Sequence, residues 1–382
     1  MSKQIELVIS GGVVIDPARN FHGLADVCIN DGKIMASNPG EKIDAAQVID
    51  ATGCYVLPGL IDYHTHLFYG GTRIGVSPDS ALLPQGVTTA VDQGSAGFSN
   101  IESFMDTVVE HSQVRIYCHL HVAPSGLESL PQNHEAVDPC LYDLKASSAL
   151  FEKYAGKLLG LKIRQSSEIV GDMGLEPLKA TIRMAADIGC RVVVHTTNPP
   201  CDVGDLADLL RPGDIFTHMY QGKGYSIINS DGKIDRRICR ARERGVLFDT
   251  ADGRGHYSID VCQRALADGM APDIISTDLT AGNVYDLSVF GLPLIMSKYL
   301  ALGMSLEDVV RACTMTPANL IGMEGKLGTM APEALADVAV FRLTDKSFSF
   351  TDFAGKSLVC HQLLLPQVTV SKGRVVYRSP EL

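Results

Sequence analysis

Two hydrophobic rhythms divide this chain. Over residues 4 to about 56, short apolar runs are cut by Gly, Pro and Asn-Asp turns. Ile5-Glu6-Leu7-Val8-Ile9 precedes Gly11-Gly12, and Val13-Val14-Ile15-Asp16 stops at Pro17. Ala25-Asp26-Val27-Cys28-Ile29 runs to the Asn30-Asp31-Gly32-Lys33 turn and Ile34, and Val48-Ile49-Asp50-Ala51 leads through Gly53 to Tyr55-Val56-Leu57. Asp-Gly between extended runs is a hairpin signal, and no helical period is present, so this segment is predicted to be all-β.

From residue 58 the rhythm changes. Compact apolar runs at 59–67, 88–92, 114–122, 158–163, 191–195, 214–218, 245–249 and 273–278 alternate with longer amphipathic stretches. Helices are expected at 176–188, 233–244 and 261–269. Near-continuous apolar strands separated by helices describe a parallel sheet covered on both faces. Eight such runs suffice to close a (β/α)₈ TIM-type barrel of the α/β class. Residues 288–302 and 305–322 then read as helices, the second opening on Ser305 and Asp308, an approximate capping box. Strand character returns at 336–341 and 366–370, with a Ser371-Lys372-Gly373-Arg374 turn before Val375-Val376-Tyr377. β-rich ends on a barrel most simply pack together. The expected organisation is a small β-sandwich domain from residues 1–57 plus 331–382, and a barrel over 58–330.

Length supports this division, since 382 residues accommodate a barrel of about 250 residues and an accessory domain. Apolar content of 46% with 20% charged residues suits a large buried core. A net charge of -11 supplies no basic excess for phosphates, which argues against a nucleic-acid partner. No apolar run reaches membrane-spanning length, and Met1-Ser2-Lys3-Gln4-Ile5-Glu6 lacks a signal-peptide pattern. Ten cysteines, scattered without C-x-x-C pairs, read as reduced thiols of a cytoplasmic protein.

The chemistry is concentrated at the ends of the strand-like runs, where a barrel of this kind places its active site. Pro58-Gly59-Leu60-Ile61-Asp62-Tyr63-His64-Thr65-His66 ends in two histidines one residue apart. Alternation along a strand points both to one side, so they suit one metal ion; two incidental histidines are the plain alternative. The fourth run carries Lys162, the fifth ends at His195, the sixth at His218 and the eighth at Asp278. Each of these would be costly to bury unpaired, and a pair of divalent metals supplies a shared partner. A protonated lysine cannot bind a cation. A desolvated neutral one can add carbon dioxide to form a carbamate whose two oxygens bridge two metals. A buried ion pair of Lys162 with Glu168 or another acid is the competing reading, and Lys153 and Lys157 read as solvated.

These residues resemble the amidohydrolase superfamily over essentially the whole chain. The first-strand stretch is similar to that family's motif, and Gly160-Leu161-Lys162-Ile163-Arg164 looks like its binuclear, dihydroorotase-like branch, especially deacetylase-type members. The resemblance implies that His64 and His66 bind the more buried metal and that carboxylated Lys162 bridges both. It further implies that His195 and His218 bind the second metal and that Asp278 ligates the first and acts as base. Zinc is the first expectation, with manganese, iron or cobalt compatible with the same ligands, and bicarbonate or carbon dioxide is needed for the lysine. The implied activity is hydrolysis of an amide or ester, an acyl or acetyl group on a small metabolite, by a water shared between the metals; that the metabolite is anionic is expected from Arg254, Arg164 and Arg73.

Arg254 and His256 follow the seventh run and are candidate substrate contacts, with Arg164 and Arg73 as further sources of positive charge. Gly70-Gly71-Thr72-Arg73 is a candidate lid, and Asn198, Asn283 and Tyr285 are weaker pocket candidates. His119 and His121 repeat the H-x-H spacing, but the family pattern puts no ligands there, so a pocket-lining or core role is expected. A ring-opening cyclic amidohydrolase would use the same metal site. A mononuclear deaminase usually carries glutamate three residues after the fifth-strand histidine, where this chain has Asn198. A catalytically inactive scaffold would be expected to have lost ligands that are all retained here. The expected partners are a small-molecule substrate and further copies of the chain in a homo-oligomer, with no nucleic acid and no membrane.

Overall fold

Seven parallel strands stand side by side in the order of the chain: Leu60–Thr65, Val87–Gly97, Arg115–His121, Leu158–Arg164, Arg191–His195, Ile215–Thr217 and Leu247–Asp249. They come from a computed structural model that describes residues 5–36 and 44–381. The signal-peptide reading of residues 1–4 therefore lies outside the described residues. The apolar runs are continuous because both faces of the sheet are covered: every residue of Val87–Gly97 is buried.

The eighth run departs from a regular strand. It joins the sheet through single parallel bridges, Asp249 with Ile274 and Thr65 with Leu279. Asp278 donates its N–H to the His64 carbonyl at 2.8 Å, and His66 donates to the Leu279 carbonyl at 2.9 Å. The run thus ties the last strand to the first, and the sheet curls round. Its side chains explain the irregularity. Ser276 Oγ donates to Asp249 at 2.6 Å, Thr277 Oγ1 to Asp62 at 2.6 Å, and Asp278 takes a left-handed φ of 54°.

The two ends of the chain share one sheet. Val338–Thr351 runs antiparallel to Tyr55–Pro58, within a six-stranded sheet that also holds Val13–Asp16, Phe21–Leu24, Ser357–Ser371 and Arg374–Arg378. A four-stranded sheet of Ile5–Ser10, Val27–Asn30, Lys33–Met35 and Ala45–Asp50 accompanies it. Leu7, Ile9, Val27 and Ile29 form one buried cluster with Val56, Val338, Val368 and Val370.

Several elements differ from the sequence expectation. The tail strands are much longer than 336–341 and 366–370, because their arms continue through 342–365. Charged and polar residues there hide the strand pattern, while the inner side packs on helix Leu292–Ala301, whose Ser297 Oγ accepts the Leu364 N–H at 2.9 Å. The helix expected over 305–322 is two, Leu306–Cys313 and Met315–Leu320. Pro317 would meet the Cys313 carbonyl in a continuous helix, and the break falls at Thr314. Glu176–Ile188 forms as expected, with Pro177 in its first turn and Gly189 as a left-handed cap. The Ser305 cap is also present, its Oγ accepting the Asp308 N–H at 3.1 Å. No disulfide is found among the described residues, and none of their helices is long and apolar enough to cross a membrane.

Candidate metal centre

The strand ends bring two groups of metal-type donors together. His64, His66 and Asp278 form one, and His195, His218 and His256 the other, with the donor atoms of each group within 4.8 Å of one another. The groups are contiguous. The rings of His64 and His218 lie 5.3 Å apart, those of His195 and His218 4.3 Å, and His256 Nε2 is 3.6 Å from Asp278 Oδ2. Lys162 is buried beside them, its Nζ 3.3 Å from His64 Nε2. All six residues expected from the strand ends are therefore in one place, and His256 joins them.

A layer of partners fixes the imidazoles. His64 Nδ1 donates to Asp249 Oδ2 at 3.1 Å, which leaves Nε2 with its lone pair. Asp249 is held in turn by Thr217 and Ser276. His218 Nδ1 donates to the Ala251 carbonyl at 2.7 Å. His66 Nδ1 lies 3.1 Å from Ser95 Oγ, whose own hydrogen goes to Asp92 Oδ2 at 2.7 Å, so the imidazole is the donor there too. Partners of this kind set tautomer and direction in metal-ligating histidines. Asp278 is steadied by Asn283, which donates to its carbonyl at 2.8 Å. His218, Ala251 and Asp278 all adopt φ between 38° and 64°, backbone strain gathered at one site.

This donor set fits divalent cations. With Nδ1 donating outward, the His66 Nε2 lone pair faces Asp278 Oδ1 at 3.1 Å, and the His64 Nε2 lone pair faces the same oxygen at 3.5 Å. Acceptors confronting one another in a buried place call for positive charge between them. Burial, reinforced by Lys162 and the other imidazoles, holds His64 well below the ordinary histidine range. Burial first and His218 next do the same for His195, and burial and His256 for His218. Burial pushes His256 down to about 4. These rings are neutral with lone pairs available, the form that binds metal. Burial lowers Lys162 to about 8 against the opposing pull of Asp278 and Asp249.

Glycine keeps the centre compact. Gly253 has φ +50°, and a Cβ there would stand 2.5 Å from Asp278 Oδ2 and 2.6 Å from His256 Cδ2.

The other expected residues are more dispersed. Arg254 is exposed, and the charge it acts on is Asp286. Arg73 is exposed, Asn198 bonds Glu168 at 2.8 Å, and Tyr285 is exposed with its hydroxyl on the Ser80 carbonyl. Glu168 is thus engaged with Asn198. Lys153 is exposed and pairs with Glu102, whereas Lys157 is half-buried, its amine on the Ile116 carbonyl. His119 is buried edge-on to Tyr63, their ring centroids 5.9 Å apart. His121 is buried in register with Lys162 on the adjacent strand. Sequence reasoning missed Asp92 and Asp249, although both end apolar runs and the strand-end rule points to them. Ser95 and the Ala251 carbonyl carry no comparable signal.

Residues 47–114 and 173–376 match two models, each described as an amidohydrolase family. The chain is 34% identical over 352 residues to a deacetylase of Agrobacterium fabrum, covering 91% of this chain and 86% of that one. It is 32% identical to a deacetylase of Brucella anthropi, with 91% and 87% covered. Among solved structures, the crystal structure of a dihydroorotase superposes with a TM-score of 0.88 at 31% identity, covering 98% of each chain.

Proposed function

The chain belongs to the amidohydrolase family and is a metal-dependent hydrolase, and from that premise we propose that it removes an acyl group, acetyl first among them, from a small anionic metabolite. The observation that carries this reading is the convergence of His64, His66 and Asp278 with His195 and His218 around buried Lys162. His64, His66 and Asp278 would hold one ion, His195 and His218 the other, and Lys162, as a carbamate, would bridge them. Zinc suits these ligands, and bicarbonate or carbon dioxide would supply the lysine modification. Bound there, two divalent ions polarise a substrate carbonyl and acidify water.

The protein's own residues do the rest. Asp278 Oδ1 is turned toward His64 and His66, while Oδ2 faces His256. Oδ2 is the atom placed to take a proton from the attacking water and return it to the leaving nitrogen or oxygen. His256, with Nδ1 on Thr197 Oγ1 at 2.8 Å, presents its other nitrogen to the same space as a substrate contact. Arg254, exposed two residues before His256, would be a second substrate contact. The same reading includes a β-sandwich domain of residues 1–57 plus 331–382 beside a barrel of 58–330, a cytoplasmic location and a homo-oligomeric assembly. The two terminal sheets with their common core support the domain division.

Relatives named as deacetylases over nearly the whole chain favour acyl transfer to water. A ring-opening cyclic amidohydrolase is the second reading, supported by the likeness to a dihydroorotase structure. Asn198 in place of glutamate speaks against a deaminase, and the retained ligand set against an inactive scaffold. A hydrolysis screen of metal-loaded protein over N-acyl amino acids, O-acyl hydroxy acids and cyclic amides tests the choice. Turnover of acylated compounds is expected; turnover of cyclic amides alone would move the assignment to the second reading.

A further inference from the structure

Beside the metal centre lies a buried polar cluster that the reaction as described does not use: His121, Glu135 and Arg164. Arg164 Nη1 donates to Glu135 Oε2 at 2.9 Å. The Glu135 side chain is fully buried and the Arg164 side chain is 16% exposed, so the carboxylate is the fixed partner and the guanidinium reaches outward. His121 Nδ1 accepts the Ala123 N–H at 3.0 Å, which places the ring hydrogen on Nε2. That nitrogen stands 3.7 Å from Glu135 Oε1, beyond hydrogen-bond range, and neither atom has a hydrogen-bond partner. Two unpartnered, fully buried polar atoms next to a half-satisfied guanidinium describe a site built for one more polar group.

Its position relates it to the substrate. Lys162 and Arg164 are two residues apart on one strand and so share a face, and Lys162 points at His64. Arg164 is therefore about 6.6 Å farther along the same face, toward the open end of the barrel. Its Cα is in register with His195, and its charge is felt by both His195 and His256. The other arginines considered for this role, Arg73 and Arg254, are exposed.

We infer that Arg164, held from behind by Glu135, binds a carboxylate of the substrate, and that the acyl compound hydrolysed carries this carboxylate on its leaving-group side, a few bonds from the scissile carbonyl. The inference rests on the acyl-hydrolase reading. One N–H of the guanidinium is committed to Glu135, and the others form the planar fork that matches a carboxylate. Glu135 neutralises the arginine when no substrate is bound and fixes its rotamer, and acts as a positioning residue. The orphan pair of Glu135 Oε1 and His121 Nε2–H accepts and donates once each, which fits a hydroxyl group or a water beside the bound anion.

The test is calorimetric titration of the metal-loaded protein with N-acetylalanine and with its uncharged amide, alongside steady-state hydrolysis of both. Wild type is expected to bind the acid more tightly than the amide. Arg164→Met should weaken the acid about 10- to 100-fold and leave the amide within about 3-fold. Arg164→Lys should recover part of the acid's binding. Glu135→Ala should raise KM for the acid with little change in kcat, and Glu135→Gln should restore it. Equal binding of acid and amide by wild type, or equal loss of both in Arg164→Met, overturns the inference. Wild type that binds neither but cleaves a neutral acyl ester also overturns it while leaving acyl hydrolysis standing. No cleavage of any acyl compound strikes the underlying reading instead.

Discussion

Lys298 is wholly buried in helix Leu292–Ala301, where an ammonium has no water to solvate it. Its amine meets the buried Asp252 carboxylate, which also accepts the Tyr299 hydroxyl at 2.9 Å. Three ring faces surround it: Tyr257 at 3.4 Å, Phe350 at 4.9 Å and Tyr299 at 5.1 Å. Burial pushes the amine well down, and the Asp252 carboxylate in contact with it is the opposite charge at hand to oppose this. Lys298→Met deletes the cation, keeps most of the volume and leaves Asp252 buried with one hydroxyl. Breaking a buried pair in this way costs about 3–5 kcal/mol. At roughly 2 °C per kcal/mol for a chain of this size, Tm should fall by about 6–10 °C. The loss reaches the metal centre, because Asp252 follows Ala251, the carbonyl that orients His218. Metal content should therefore fall with Tm. The double replacement Lys298→Met with Asp252→Leu leaves no orphan charge and should recover much of the stability without restoring metal. Scanning calorimetry with metal analysis reads both. A Tm loss under about 2 °C in the single variant, or a double variant no better than the single, would refute the reasoning.

Other outcomes follow from the same geometry. Gly253→Ala drives a methyl into Asp278 and His256 at a left-handed position, and kcat should drop on the order of 100-fold, measured by steady-state kinetics, with Tm little changed. Asp249→Asn keeps the shape beside His64 but weakens its hold on the ring; metal affinity, by competition with a chelator, should fall about 10- to 100-fold. Lys162→Ala should lose activity and metal, and short carboxylic acids added to the variant should restore part of both if the lysine acts as a carbamate.

The barrel was legible because strands buried on both faces must be apolar throughout, so 59–67 through 245–249 stand out. The ligands were legible because polar side chains at the ends of such runs have few other reasons to be there. His64, His66, Lys162, His195, His218 and Asp278 meet in space as their strand-end positions suggest. What escaped depends on contacts between distant segments. The hairpin arms 342–365 show no clear strand pattern, since half their residues face solvent and their inner side lies on helix Leu292–Ala301. Phe21–Leu24 is a short edge strand with alternating exposure. Thr314 breaks a helix whose amphipathic pattern runs straight through it. The environments of Lys298 and Glu135 are equally invisible in sequence, because the charge each one meets comes from another segment: Asp252 for Lys298 and Arg164 for Glu135.

The central claim is a two-metal hydrolytic centre, and metal stoichiometry tests it most directly. Protein prepared with bicarbonate and a divalent metal, then freed of loose ions, should carry about two ions per chain by mass spectrometric metal analysis. His195→Asn with His218→Asn should hold about one and lose hydrolysis. Wild-type protein that binds no divalent metal, and that cleaves no acyl compound or cyclic amide after metal and bicarbonate are supplied, would contradict the account.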